Sequence, residues 1–134
     1  MTLRKTVILA ERHSQISEGM RGLLESMFDS VVMVAERESL FDTVKRLDPD
    51  LAVVDLSLPE SAEGNIAQQL KERHPNVKLV ILSIHDEPTV VDQVMNSGAE
   101  GFVLKRAVAS DLLRAVEEVL SGGTYVSPGL QAQG

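Results

Sequence analysis

No cysteine and no tryptophan occur among the 134 residues, and tyrosine occurs once. Without thiols, a disulfide framework, a zinc-thiolate site and a thiol nucleophile are all excluded. With aromatics at 3%, the core has to be built from Val, Leu, Ile, Met and Ala, a composition that suits strands buried on both faces under aliphatic helices. Long apolar runs are missing too. After Arg4 and Lys5 the stretch Val7 to Ala10 stops at Glu11, far short of the apolar region of a signal peptide, and no run approaches a bilayer span. The expectation is a soluble, cytosolic protein without a membrane partner. Positive charge is also scarce: the net charge is -7 and the pI about 4.9, which argues against nonspecific binding of nucleic acid or anionic membrane by this chain. What remains is an ordinary globular balance, 43% hydrophobic and 25% charged, in a length that fits one compact domain.

Five short apolar runs recur: Val7-Ile8-Leu9, Val31-Val32-Met33-Val34, Leu51-Ala52-Val53-Val54, Leu79-Val80-Ile81-Leu82 and Phe102-Val103-Leu104. They are continuous rather than alternating, as expected of central strands in a parallel sheet. Helical stripes separate them. Ile16, Met20, Leu23, Leu24 and Met27 share one face of a helix that Ser14 is placed to cap. Leu40, Val44 and Leu47 form a second stripe, ended by Asp48-Pro49-Asp50. Ile66, Ala67 and Leu70 form a third, which must stop before Pro75. Val90, Val91, Val94 and Met95 form a fourth, closed by Ser97-Gly98. Leu112, Val116, Val119 and Leu120 form a fifth, with Ser110 as its expected cap. Five strands alternating with five helices predict an α/β fold: a flavodoxin-like, doubly wound, five-stranded parallel sheet in the order 2-1-3-4-5. Such sheets bind ligands at the carboxyl ends of their strands, between the first and third.

The residues at those ends carry complementary chemistry. Glu11-Arg12-His13 follow the first strand, Asp55 closes the third, Ser83 closes the fourth and Lys105 lies just beyond the fifth. A carboxylate nucleophile, a hydroxyl and a fixed cation are what phosphoryl transfer onto an aspartate requires: Asp55 attacks while Ser83 and Lys105 hold the phosphoryl oxygens. A divalent cation on oxygen ligands usually completes such a site, and Glu11 is one source of an oxygen.

From about Lys5 to Ser121 the chain resembles the response-regulator receiver family. The motifs are Val-Asp-Leu-Ser-Leu-Pro at 54–59, Leu-Ser-Ile-His-Asp at 82–86 and Ser-Gly-Ala-Glu-Gly-Phe-Val-Leu-Lys at 97–105. Each alone is weak; in order, each at a strand end, they are specific. Ser-Gly-Ala-x-Gly-Phe, together with Gly-Gly-Thr-Tyr-Val-Ser-Pro at 122–128, is most similar to the NarL/LuxR subfamily, where that segment leads into a helix-turn-helix domain. The resemblance implies that Asp55 accepts the phosphoryl group from a sensor histidine kinase. It makes Ser83 the hydroxyl switch, Lys105 the phosphate-contacting cation and Phe102 the aromatic switch. It places Mg²⁺ on Glu11, Asp55 and the backbone carbonyl of Ser57. The implied result is a population shift of the surface built by the fourth helix, fifth strand and fifth helix. A second copy of the chain is a further candidate partner, and DNA enters only through an output domain outside this chain. The expected division is a receiver at 1–122 and, at 123–134, the start of a linker to that output domain.

Three departures stand out. Arg12 occupies a position where the family has an acid; the loop from Asp55 to Gly64 is one residue longer than usual; and Ile84 replaces a small residue. At an effective dielectric of about 20, a charge pair about 4 Å apart is worth about 4 kcal/mol. That figure is an upper bound for a side chain as long as arginine, yet about 1.4 kcal/mol already weakens affinity about tenfold. Weak Mg²⁺ binding is therefore expected. An ion pair from Arg12 to Asp55, lowering the acceptor's pKa, is a second expectation. His13, His74 and His85 sit in separate loops and offer no metal-ligand spacing. The absence of a Gly-rich phosphate loop after the first strand disfavours a nucleotide enzyme. The alternative to a working receiver, which is not an enzyme in the ordinary sense, is a pseudo-receiver: an interaction module independent of phosphorylation because Arg12 replaces a metal-binding acid.

Overall fold

A computed structural model describes residues 5–58 and 65–130. Its elements run β1 (Thr6–Ala10), α1 (Ser14–Leu24), β2 (Ser30–Val34), α2 (Arg37–Leu47), β3 (Leu51–Asp55), α3 (Ile66–Arg73), β4 (Lys78–Ser83), α4 (Pro88–Asn96), β5 (Gly101–Leu104), α5 (Val108–Leu120) and β6 (Tyr125–Val126). All strand pairs are parallel, and the sheet order is β2-β1-β3-β4-β5-β6. The five strands, five helices and 2-1-3-4-5 order expected from the sequence are present. The short β6, within the segment read as a linker, extends the sheet by one strand.

The two-residue period of the strands sorts their side chains into two layers. Ile8, Ala10, Ala52, Val54, Leu79, Ile81, Phe102 and Leu104 pack with Leu40 and Val44 of α2, Leu70 of α3 and Val91 and Val94 of α4. Val7, Leu9, Leu51, Val53, Val80, Leu82 and Val103 pack with Met20 and Leu24 of α1 and Leu112, Val116 and Val119 of α5. Because both faces are covered, β3 is buried along its whole length, which is why its sequence reads as an unbroken apolar run. Two members of the predicted stripes stay outside: Ile16 and Leu47 are 37% and 40% exposed. Among the described residues no helix is long and apolar enough to cross a membrane.

Helix ends differ from the serine-cap expectation. His13 takes the capping position of α1 and Ser14 is its first helical residue. Ser110 lies inside the first turn of α5, with its Oγ donating to the Ala107 carbonyl at 3.1 Å. The chain winds through a single 3₁₀ turn, Lys105–Ala107, straight into α5, so Ser110 lacks the extended backbone a cap needs. The side chain that does cap a helix is Asn65, which accepts from the Gln68 N–H at 2.8 Å. At the end of α4 the expectation holds: Gly98 has φ +107°, the left-handed C′ conformation that glycine adopts without a Cβ penalty.

Candidate functional site

The carboxyl ends of β1 and β3 and the turn after β5 meet at one edge of the sheet. Asp55, the last residue of β3, is 1% exposed. Its Oδ1 accepts from the Ser57 N–H at 2.8 Å and its Oδ2 accepts from Lys105 Nζ at 2.8 Å. Glu11 continues the line of β1, its N–H donating to the Val34 carbonyl at 3.0 Å, and is 3% exposed. Glu11 Oε2 accepts from the His13 N–H at 3.1 Å and from Lys105 Nζ at 3.2 Å, and lies 2.9 Å from His13 Nδ1. Glu11 Oε1 is 3.1 Å from Lys105 Nζ, yet the alignment is not that of a hydrogen bond, and this buried oxygen has no hydrogen-bond partner. Lys105 thus holds two buried carboxylates with a side chain only 7% exposed.

Burial pushes the Asp55 carboxyl up, but the hydrogen bond from Lys105, the hydrogen bonds from Ser57 and the Lys105 charge outweigh it. The net result lies below the ordinary 3.8. The carboxylate is therefore ionised and nucleophilic throughout the neutral range.

Ser83, at the end of β4, lines the same cavity of about 260 Å³ as Asp55, Ser57, Asn65 and Gln93. Its hydroxyl is engaged with the following loop, accepting from the His85 N–H at 2.9 Å and donating to the His85 carbonyl at 3.1 Å. Phe102 is fully buried in the core layer shared with α2, α3 and α4. Ile84, at the mouth of the cavity, is 66% exposed. Pro59, Gly64 and the length of the loop they belong to lie outside the described residues.

Two sequence expectations are overturned. Arg12 is exposed and makes no ion pair with Asp55; Lys105 already occupies the acceptor's second oxygen. The lowered pKa comes from that lysine and from Ser57, not from Arg12. The second is that the histidines offer no metal-ligand spacing, which does not hold for His13. Ligand atoms of Glu11, His13 and Asp55 lie within 4.8 Å of one another. The signal for His13 was its position two residues after Glu11 on extended backbone, which returns a side chain to the same side of the chain. Carboxylate oxygens on Glu11 and Asp55, one of them without a hydrogen bond, form a donor set that fits a divalent cation.

A parallel sheet with an aspartate, a glutamate and a lysine converging at its carboxyl edge defines a class that sequence comparison identifies. The profile described as "Response regulator receiver domain" matches residues 7–117, and the chain belongs to that family. Within it, the relatives are regulators of the NarL/LuxR type. The chain is 32% identical over 124 residues to the transcriptional regulatory protein DegU of Brevibacillus brevis, covering 91% of this chain and 52% of the relative. It is 30% identical over 125 residues to the oxygen regulatory protein NreC of Staphylococcus carnosus, covering 91% and 58%. It thus spans little more than half the length of these curated relatives. The fold is also that of the Salmonella typhimurium response regulator RcsB, with a TM-score of 0.86, 24% identity, and coverage of 96% of this chain and 65% of that one. Receiver domains serve two-component signalling and generally bind Mg²⁺ at an acidic pocket.

Proposed function

We propose that this chain accepts a phosphoryl group on Asp55 from a phosphohistidine of a sensor histidine kinase, and that the resulting state switches an output domain beyond it. The observation that carries this reading is the buried Asp55 carboxylate held ionised against Lys105 at 2.8 Å. A carboxylate oxygen of Asp55 attacks phosphorus, the P–N bond of the phosphohistidine breaks, and the leaving imidazole keeps the electron pair and takes up a proton. The product is an acyl phosphate, and its later hydrolysis by water returns inorganic phosphate and the free carboxylate. Lys105, released from part of its contact with the carboxylates, offsets the charge brought by the phosphoryl oxygens. The Ser83 hydroxyl leaves the His85 backbone to donate to a phosphoryl oxygen, and Phe102 repacks with it. Glu11, Asp55 and the Ser57 carbonyl would hold Mg²⁺, which would supply further neutralisation of phosphoryl charge. Arg12 weakens this binding by removing an acid from the site.

The output is transcription, in keeping with the transcriptional regulator among the relatives. DNA is contacted only by the output domain, and a second copy of the receiver is the partner in the activated state. The test is incubation with acetyl phosphate and excess Mg²⁺, read by intact-mass spectrometry. A single phosphoryl addition that is lost in Asp55→Asn is expected. An unmodified wild-type chain, with no amide perturbation by beryllofluoride, overturns the reading in favour of a phosphorylation-independent interaction module.

A further inference from the structure

From the arrangement around Glu11 we infer that this site takes a borderline first-row transition dication, with the His13 imidazole as a nitrogen ligand, in preference to Mg²⁺. The inference rests on the phosphoacceptor reading and specifies the metal that reading needs.

The backbone leaving β1 places the ligand. The Glu11 N–H remains bonded to Val34 and His13 is itself extended, with φ -94° and ψ 111°. Residues two apart on such a segment fall on one side, which leaves Arg12 between them exposed. His13 Nδ1 stands 2.9 Å from Glu11 Oε2, and the ligand atoms of Glu11, His13 and Asp55 all fall within 4.8 Å of one another. Three groups bound about 2.0–2.2 Å from one ion have mutual separations compatible with that span.

An independent observation marks the place for a cation. Glu11 Oε1 is buried without a hydrogen bond in a residue 3% exposed. Lys105 Nζ stands 3.1 Å from it but directs its hydrogen bonds to Glu11 Oε2 and Asp55 Oδ2. The lysine charge offsets part of the cost of burying this oxygen, and a coordinated cation would supply the direct partner that it lacks.

Donor chemistry sets the class of ion. Mg²⁺ requires hard oxygen donors in near-ideal octahedral geometry and retains water, whereas imidazole suits first-row transition dications, which it binds with increasing strength from Mn²⁺ through Co²⁺ and Ni²⁺. Where the family supplies a second acid, this chain supplies Arg12, so the charge attraction that favours any dication is reduced. The nitrogen of His13 restores affinity only for ions that value it. His13 serves no capping bond, and its side chain is 56% exposed, so its removal leaves the fold intact.

Co²⁺ is the probe, because its visible absorption changes when nitrogen replaces water. The wild-type chain and His13→Ala are titrated with Co²⁺ and with Mg²⁺ by equilibrium dialysis, and the Co²⁺ spectra recorded. His74→Ala and His85→Ala control for surface histidines, His85 lying 3.7 Å from Glu87. The expected result is Co²⁺ binding at least about tenfold tighter than Mg²⁺. His13→Ala removes about tenfold or more of the Co²⁺ affinity, together with the spectral change, and leaves Mg²⁺ affinity within about twofold. Equal affinities in the wild type, or a Co²⁺ affinity and spectrum unmoved by His13→Ala, overturn the inference. The two readings fail separately. Asp55-dependent phosphorylation in Mg²⁺ with no effect of His13→Ala on Co²⁺ defeats only the metal assignment. His13-dependent Co²⁺ binding in a chain that acetyl phosphate never modifies with either ion defeats only the phosphoacceptor role.

Discussion

Lys105 is the residue on which the carboxyl edge depends, since it is the cation within reach of both buried carboxylates. Lys105→Ala leaves Glu11 and Asp55 facing one another with that charge removed, and breaking a buried pair in this way costs about 3–5 kcal/mol. Urea unfolding at neutral pH is expected to show a loss of that order, and the Asp55 carboxyl is expected to titrate higher in a carbon-detected NMR titration; an unchanged Asp55 titration contradicts the assignment. Acid stability follows from the same contacts. The fold lowers the Asp55 pKa below 3.8, so its ionised form is the one favoured by folding. The stabilisation is complete above the unfolded value and is lost as pH falls through 3.8 towards the folded value. The unfolding free energies of wild type and Asp55→Asn should therefore keep a constant difference through neutral pH and converge only below about 3.8; parallel curves down to the acid limit contradict this. At this scale the sequence disclosed Asp55, Ser83 and Lys105, because parallel topology dictates which residues reach the carboxyl edge. It did not disclose His13, whose place depends on the backbone conformation of a three-residue connection. It suggested the wrong partner for Asp55, since charge alone does not tell that Arg12 stays in solvent while Lys105 reaches inward.

Among the elements, β5 is closely packed at Gly101. A Cβ added at Gly101 lies 3.0 Å from Val80 Cγ2 and 3.3 Å from Val119 Cγ2, so an alanine there makes the valine methyls of β4 and α5 give way by a few tenths of an ångström. Gly101→Ala is expected to lower stability by about 1–3 kcal/mol, read as a lower urea midpoint with unchanged slope; a neutral result means that α5 yields more readily than close packing implies. The same crowding explains why β5 was legible from Phe102-Val103-Leu104 alone, as were the other buried strands. β6 escaped the reading because two residues, Tyr125 and Val126, set among Gly, Thr, Ser and Pro, make neither a run nor an alternation. Helix bodies were legible from their stripes and helix starts were not, since a serine caps only where the backbone is extended.

For the molecule as a whole, the segment after α5 is tied to the carboxyl edge of the sheet. The Ser127 N–H donates to the Phe102 carbonyl at 3.0 Å and its Oγ accepts from the Leu104 N–H at 3.1 Å, one residue before Lys105. Ser127 is 1% exposed, so Ser127→Ala strands a buried donor at a cost of about 1–3 kcal/mol. Faster amide exchange at Leu104 than in wild type is the expected signature, and unaltered exchange there contradicts it. The β5–β6 seam also gives the molecule an optical property of its own. Tyr125, in β6, is the sole tyrosine of a chain without tryptophan, so tyrosine emission arises from one spot, the β5–β6 seam. Burial first, and then the neighbouring Asp111 carboxylate, raise its phenol above 10.0, so an alkaline absorbance titration follows this seam and nothing else. A midpoint that falls back to 10.0 in Ser127→Ala signals a strand that has come away from the sheet.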